Sequence, residues 1–178
     1  MEKELKWNQS VFAPPSNEKI YESLPESLAR VSTLFPTSPA VISEGKTYNF
    51  HDLSSRVAGL SQEITERVKT PGPIAVIQTI GLDAIAAWFA CGLSGRAFLL
   101  LDPDQPSARL QEISEAAGCS LILTDATTSK TLSAFPPDKL FISNGLTCTY
   151  DHKKGLHSEE PAMIFPTSGS TGTPKLIT

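Results

Sequence analysis

The sequence predicts an α/β fold in which a mostly parallel sheet carries helices on both faces. Three observations carry that prediction. Short runs that are apolar at every position recur at 74–77, 97–101, 121–123, 140–142 and 162–165. Strands without polar alternation are buried on both sides, as in parallel sheets. The segments between the first of these runs space their apolar residues three and four apart, the mark of a helix. Proline, glycine or Asp-Pro stands at most junctions, where chain direction changes. Strands alternating with helices imply crossover connections, and so a helical layer on each face.

Taken in order, residues 1–22 mix polar residues with Pro14-Pro15 and read as an irregular N-terminal arm,. Residues 24–35 read as a helix with Leu24, Leu28, Val31 and Leu34/Phe35 on one face,. Val41-Ile42 and Thr47-Tyr48 form a small hairpin turning on Gly45,. The clearest helix begins at Phe50, where Phe50, Leu53, Val57, Leu60, Ile64 and Val68 keep a three-four spacing behind Asn49 as N-cap,. Pro71-Gly72-Pro73 stops it before the first sheet strand, 74–77,. Residues 82–93 are apolar on nearly every side and read as a buried helix, with Trp88 and Phe89 in the core,. A second strand, 97–101, closes on Asp102-Pro103, a turn signal,. A helix over 107–117 points Leu110 and Ile113 inward and has Gly118 at its end,. The third strand, 121–123, leads to Asp125 as cap of a short helix reaching residue 135,. A fourth strand, 140–142, a polar loop over 143–160 and a fifth strand, 162–165, complete the series.

Composition bounds the function. With 178 residues the chain can bury a real core,. Its net charge of −4, from 15 Lys+Arg against 19 Asp+Glu, comes with no basic run, so nucleic-acid binding has no electrostatic footprint,. The longest apolar segment, 84–93, is too short to cross a bilayer,, and no signal peptide is visible, so a cytoplasmic location without membrane partners is expected. Cys91, Cys119 and Cys148 are widely spaced and read as small buried thiols rather than metal ligands or a disulfide pair,. His51, His152 and His157 are scattered and carry no catalytic assignment. Arg96 and Arg109 read as surface charges.

The chemistry concentrates at residues 167–175. Thr167, Ser168, Ser170, Thr171 and Thr173 supply hydroxyls that both donate and accept,. Gly169 and Gly172 let the backbone approach a ligand closely,, and successive N–H groups in such a turn form an anion-binding concavity. Lys175 adds a compact positive charge suited to phosphate,. No Asp or Glu lies between Pro161 and Thr178 to repel an anion. The loop is not the Walker motif, because Pro174 precedes Lys175 and Leu176-Ile177-Thr178 is a β-type tripeptide,. It reads as strand, loop, strand. A Ser/Thr/Gly linker that binds nothing has the same composition.

The string Thr167-Ser168-Gly169-Ser170-Thr171-Gly172-Thr173-Pro174-Lys175 resembles the signature loop of the adenylate-forming superfamily, which includes acyl- and aryl-CoA ligases, luciferases and the adenylation domains of nonribosomal peptide synthetases. Upstream, Lys46-Thr47-Tyr48-Asn49-Phe50-His51-Asp52-Leu53 is similar to the family's Thr-Tyr-x-x-Leu segment with one extra residue. The stretch from Ala90-Cys91-Gly92 through Leu101-Asp102-Pro103 to Arg109-Leu110 is similar to its Gly-x-Ala-Tyr-Val-Pro-Leu-Asp-Pro segment. Two positions depart from the pattern: Pro166 replaces an aromatic residue frequent in peptide-synthetase members, and Leu176 replaces the usual glycine, as in some aryl-activating members.

The resemblance implies that residues 23–178 are the first part of an AMP-binding (adenylation) domain, ending just after its phosphate loop. It implies ATP and Mg²⁺ as cofactors, a carboxylic acid or amino acid as substrate, and a carrier-protein phosphopantetheine or coenzyme A thiol as acyl acceptor. Thr167, Ser168, Gly169, Ser170, Thr171, Gly172, Thr173 and Lys175 would bind the phosphates. The family's acyl pocket, adenine contacts, ribose-binding Asp and catalytic Lys lie downstream of this loop. No catalytic or metal-binding residue is therefore expected here, the remainder of the domain is a required partner, and the chain alone is expected to be inactive. An acyl- or aryl-CoA ligase fragment, a noncatalytic scaffolding domain of the same fold and a stand-alone phosphate-binding module are the competing readings.

Overall fold

A computed structural model describes residues 23–148, 162–167 and 175–177, with Lys175 described by its backbone alone. The proposed N-terminal arm and most of the polar loop before the last strand fall outside these residues.

Local sequence sets the ends of the helices. Helix α1 (Leu24–Leu34) starts at Ser23, whose hydroxyl and the Glu26 carboxylate cap each other's backbone N–H,. Helix α2 (Phe50–Arg67) starts the same way: Asn49 accepts from the Asp52 N–H at 2.8 Å and Asp52 accepts from the Asn49 N–H at 3.0 Å. Between them, β1 (Pro39–Ser43) and β2 (Lys46–Asn49) pair antiparallel. Their two-residue turn, Glu44-Gly45, has φ of 51° and 74°, the doubly positive geometry that matches strand twist.

The main sheet contains β3 (Ile74–Ile77), β4 (Phe98–Leu100), β5 (Leu121–Thr124), β6 (Leu140–Ile142), β7 (Met163–Thr167) and β8 (Lys175–Ile177), in the order β6-β5-β3-β4-β7-β8. The first five positions are parallel and β8 runs antiparallel to β7. Helix α3 (Leu82–Leu93) connects β3 to β4, and helix α4 (Ser107–Ala116) connects β4 to β5. Period-two alternation divides the strands between two cores. Ile74, Val76, Phe98 and Leu123 meet α1, α2 and α3 on one face, while Ala75, Ile77, Leu99 and Ile122 meet α4 and Leu132 and Phe135 on the other.

Several expectations need correction. The segment after Asp125 forms one turn of 3₁₀ helix, Thr128–Lys130, rather than an α-helix. Its run of small hydroxyl residues, Thr127 to Ser129, bonds locally to Asp125 instead of propagating a helix,. The apolar face of α1 is only partly covered by the described residues: Leu28 is buried, but Leu24, Leu34 and Phe35 are exposed. Cys91 and Cys119 are buried, with burial pushing the Cys119 thiol up to about 12, whereas Cys148 is exposed. Among the described residues, no helix is long and apolar enough to cross a membrane.

Candidate functional site

Parallel order aligns the carboxyl ends of β3 to β7 on one edge of the sheet, where α/β proteins place ligands. That edge collects Gln78, Asp102, Asp125, Ser143 and Thr167, each following or ending a strand. β7 is placed there by Met163 and Ile164, which pair with Phe98 and Leu99 of β4 and pack into opposite cores.

The predicted strand, loop, strand arrangement is present at its two feet. Thr167 lies at the end of β7, exposed, and pairs across the hairpin with Lys175; Pro166 pairs with Leu176 and Phe165 with Ile177. Leu176 packs toward the core shared with α4. The structure thus brings the backbones of Thr167 and Lys175 together. Ser168, Gly169, Ser170, Thr171, Gly172 and Thr173 lie outside the described residues, as does the Lys175 side chain. The donor chemistry of this segment suits a polyphosphate, and residues 168–174 link the paired strands β7 and β8. It carries no carboxylate for a metal, and among the described residues no cluster of three His, Cys, Asp or Glu could hold one.

Asp102, beside β7 in the sheet order, accepts the Asp104 N–H at 3.0 Å and shapes its own turn. Asp125 ties two strand ends: it accepts from the Thr79 N–H at 3.0 Å and from the N–H groups of Thr127 and Thr128. Partial burial opposes its ionisation, but the bonds from Thr128, Thr79 and Thr127 outweigh burial and hold the carboxyl below the usual carboxylate range,.

Two arrangements escaped the sequence reading. Arg96 is not a free surface charge. Its guanidinium donates to the carbonyls of Thr70, Gly72 and Val68, at 2.8, 3.0 and 3.2 Å, and clamps the turn before β3. The second is a buried polar group on the α2/α3 face. Ser143 donates to Gln78 Oε1 at 2.8 Å, and Gln78 is only 3% exposed. Arg56 Nε lies 3.3 Å from Asp83 Oδ1, without hydrogen-bond geometry. The Gly145 N–H faces Asp83 and favours its ionised form. Burial pushes the Asp83 carboxyl up, against the opposing pull of Arg56 and the Gly145 N–H. Gln78 directly follows an all-apolar strand, and that placement was the available signal.

Comparison with known proteins follows the same lines. The family described as AMP-binding enzyme matches residues 28–178. Gramicidin S synthase 2 of Brevibacillus brevis is 27% identical over 181 residues, which are 96% of this chain and 4% of that protein. Nonribosomal peptide synthetase imqB of Aspergillus flavus is 31% identical over 186 residues, 95% of this chain and 5% of that protein. The chain therefore spans about one-twentieth of the length of these relatives. Among solved structures, the AMPPNP-bound form of the nonribosomal peptide synthetase FmoA3 superposes with a TM-score of 0.73 at 21% identity, covering 91% of this chain and 18% of that one. The N-terminal subdomain of Klebsiella oxytoca NpsA, in complex with 3-hydroxybenzoyl-AMSN, gives a TM-score of 0.73 at 20% identity, covering 88% of this chain and 40% of that one.

Proposed function

The chain belongs to the AMP-binding enzyme family, and from that premise we propose that it is the first part of the N-terminal subdomain of an adenylation domain, contributing the loop that holds the phosphates of ATP. In this reading residues 23–178 form that part and residues 1–22 an arm preceding it. The observation that carries it is the β7–β8 register, Thr167 against Lys175, at the carboxyl edge of the sheet. It places the two feet of the hydroxyl-rich turn side by side where a nucleotide would approach.

ATP supplies the electrophilic α-phosphorus that a substrate carboxylate attacks, with pyrophosphate as leaving group. This chain's residues bind and orient. The hydroxyls of Thr167, Ser168, Ser170, Thr171 and Thr173 donate to phosphate oxygens, the Gly169 and Gly172 N–H groups line the turn, and Lys175 offsets negative charge. Their contribution is positioning and charge stabilisation. Magnesium would arrive with the nucleotide, since the turn has no carboxylate of its own,. A carrier-protein thiol is the favoured acyl acceptor, supported by peptide-synthetase relatives and by likeness to an artificially fused adenylation–PCP di-domain, NpsA–ThdA. Coenzyme A is the second reading, as in the acyl- and aryl-CoA ligases whose signature loop residues 167–175 also resemble.

The test joins the remainder of an adenylation domain to the chain and measures carboxylate-dependent ATP–pyrophosphate exchange. Lys175→Ala should slow exchange roughly a hundredfold, the usual scale for losing one charge-stabilising donor; an unchanged rate removes Lys175 from phosphate binding. The 178-residue chain alone should show no exchange, and robust turnover by it would overturn the reading of this chain as an incomplete active site.

A further inference from the structure

Four buried side-chain nitrogen or oxygen atoms among the described residues have no hydrogen-bond partner, and three of them belong to Arg56, Gln78 and Asp83. They come from three separate places: α2, the residue directly after β3 and the first turn of α3. One short strap, residues 143–148, touches all three residues. Ser143 donates to Gln78, and the Gly145 N–H faces the Asp83 carboxyl and favours its ionised form. A methyl group at Gly145 would stand 3.7 Å from Arg56 Nη1. The strap then lies along α2, where the Cys148 N–H bonds to the Ser55 carbonyl at 3.0 Å. Its backbone approaches so closely that a Cβ on Gly59 would meet the Thr147 nitrogen at 2.7 Å.

Buried polar groups in folded proteins are paired with protein or with ordered water. Here the atoms without a hydrogen bond are two donors, Arg56 Nη1 and Gln78 Nε2, and one acceptor, Asp83 Oδ1, whose ion-pair contact with Arg56 Nε is 3.3 Å long. An anion would meet the Asp83 carboxylate, and a cation would face the guanidinium and the amide N–H. A small neutral ligand with lone pairs and a proton complements all three. Water does so, using both lone pairs and one hydrogen, and buried waters typically make about three hydrogen bonds.

We propose that Arg56, Gln78 and Asp83 bind at least one internal water molecule and form a hydrated latch that holds the 143–148 strap on α2 and α3. The proposal is independent of the phosphate-loop reading. The latch anchors the start of the connection between β6 and β7.

A crystal structure of the 178-residue chain, at a resolution that defines solvent, tests the binding. An ordered water bonded to two or more of the three atoms is expected. A dry site, or the three atoms paired with protein groups alone, overturns the proposal. Amide exchange tests the latch. Gln78→Met keeps the volume and removes the amide. It should accelerate exchange at Gly145 and Cys148 about tenfold, on the scale of one buried hydrogen bond, with the β3 amides of Ala75 and Val76 unchanged. Equal rates at Gly145 and Cys148 overturn the latch, and if the variant does not fold the crystallographic outcome still decides.

Discussion

Asp83, in the first turn of α3, and Asp125, just after β5, are held in opposite directions. For Asp125 the folded-state value sits below 3.8, so its stabilising contribution is complete above that pH and disappears as pH falls through the lowered value. Asp125→Ala should cost about 1 kcal/mol at neutral pH, the scale of a lost capping carboxylate, and progressively less in acid. For Asp83 the folded-state value sits above 3.8. Between those two values the folded chain holds a proton the unfolded chain has released, so this group's contribution declines as pH rises through the window. Carboxyl NMR titration should therefore order the two, Asp125 first to ionise and Asp83 later; the reverse order would contradict the burial described for Asp83. Gly59 is a second point of sensitivity. Alanine gains up to about 1 kcal/mol of helix propensity, but its methyl would meet strap backbone at 2.7 and 2.8 Å, where overpacking costs about 1–3 kcal/mol. Urea unfolding of Gly59→Ala should show net destabilisation, and a neutral or stabilising result would mean the strap yields freely.

At the level of elements, what the sequence announces depends on how local its causes are. The capping pair Asn49/Asp52 and the three-four spacing behind it specify α2 from within its own residues, and the helix appears where expected. Asn49→Ala should lower stability by about 1 kcal/mol through loss of both reciprocal bonds, measurable as a drop in thermal midpoint. The apolar strand β3 matches its expected limits because burial on both faces leaves no polar position inside it; β6 matches its limits too, although it is an edge strand with Ile142 exposed. The segment after Asp125 deceived for the opposite reason: its hydroxyls compete for backbone groups, and one 3₁₀ turn results,. The Arg96 clamp and the Gln78–Ser143 bond join residues 24 or more positions apart, so no local pattern reveals them. At the candidate site the β7–β8 hairpin was legible, since it follows from Pro174 and the β-type residues after it, while the donor set is a proposal from residue type. The arrangement of the turn itself belongs to residues 168–174, which the structure leaves undescribed.

For the molecule as a whole, strand order matters more than strand count. β4 joins β3 on one side and β7 on the other, so the hairpin that carries the candidate site is seated on a strand far earlier in the chain. Such nonlocal pairing forms after the local βαβ units, because loop closure precedes its reward. Folding should therefore complete the β6-β5-β3-β4 block before β7 docks, and pulse-labelled exchange should protect Val76 and Leu123 ahead of Ile164. The far side of the hairpin has a practical consequence. Among the described residues β8 terminates the sheet, with Phe165 and Ile177 turned outward. A rim of open backbone beside two greasy side chains invites another copy to add a strand. The isolated polypeptide should scatter light increasingly as it is concentrated, and Ile177→Lys should keep it dispersed.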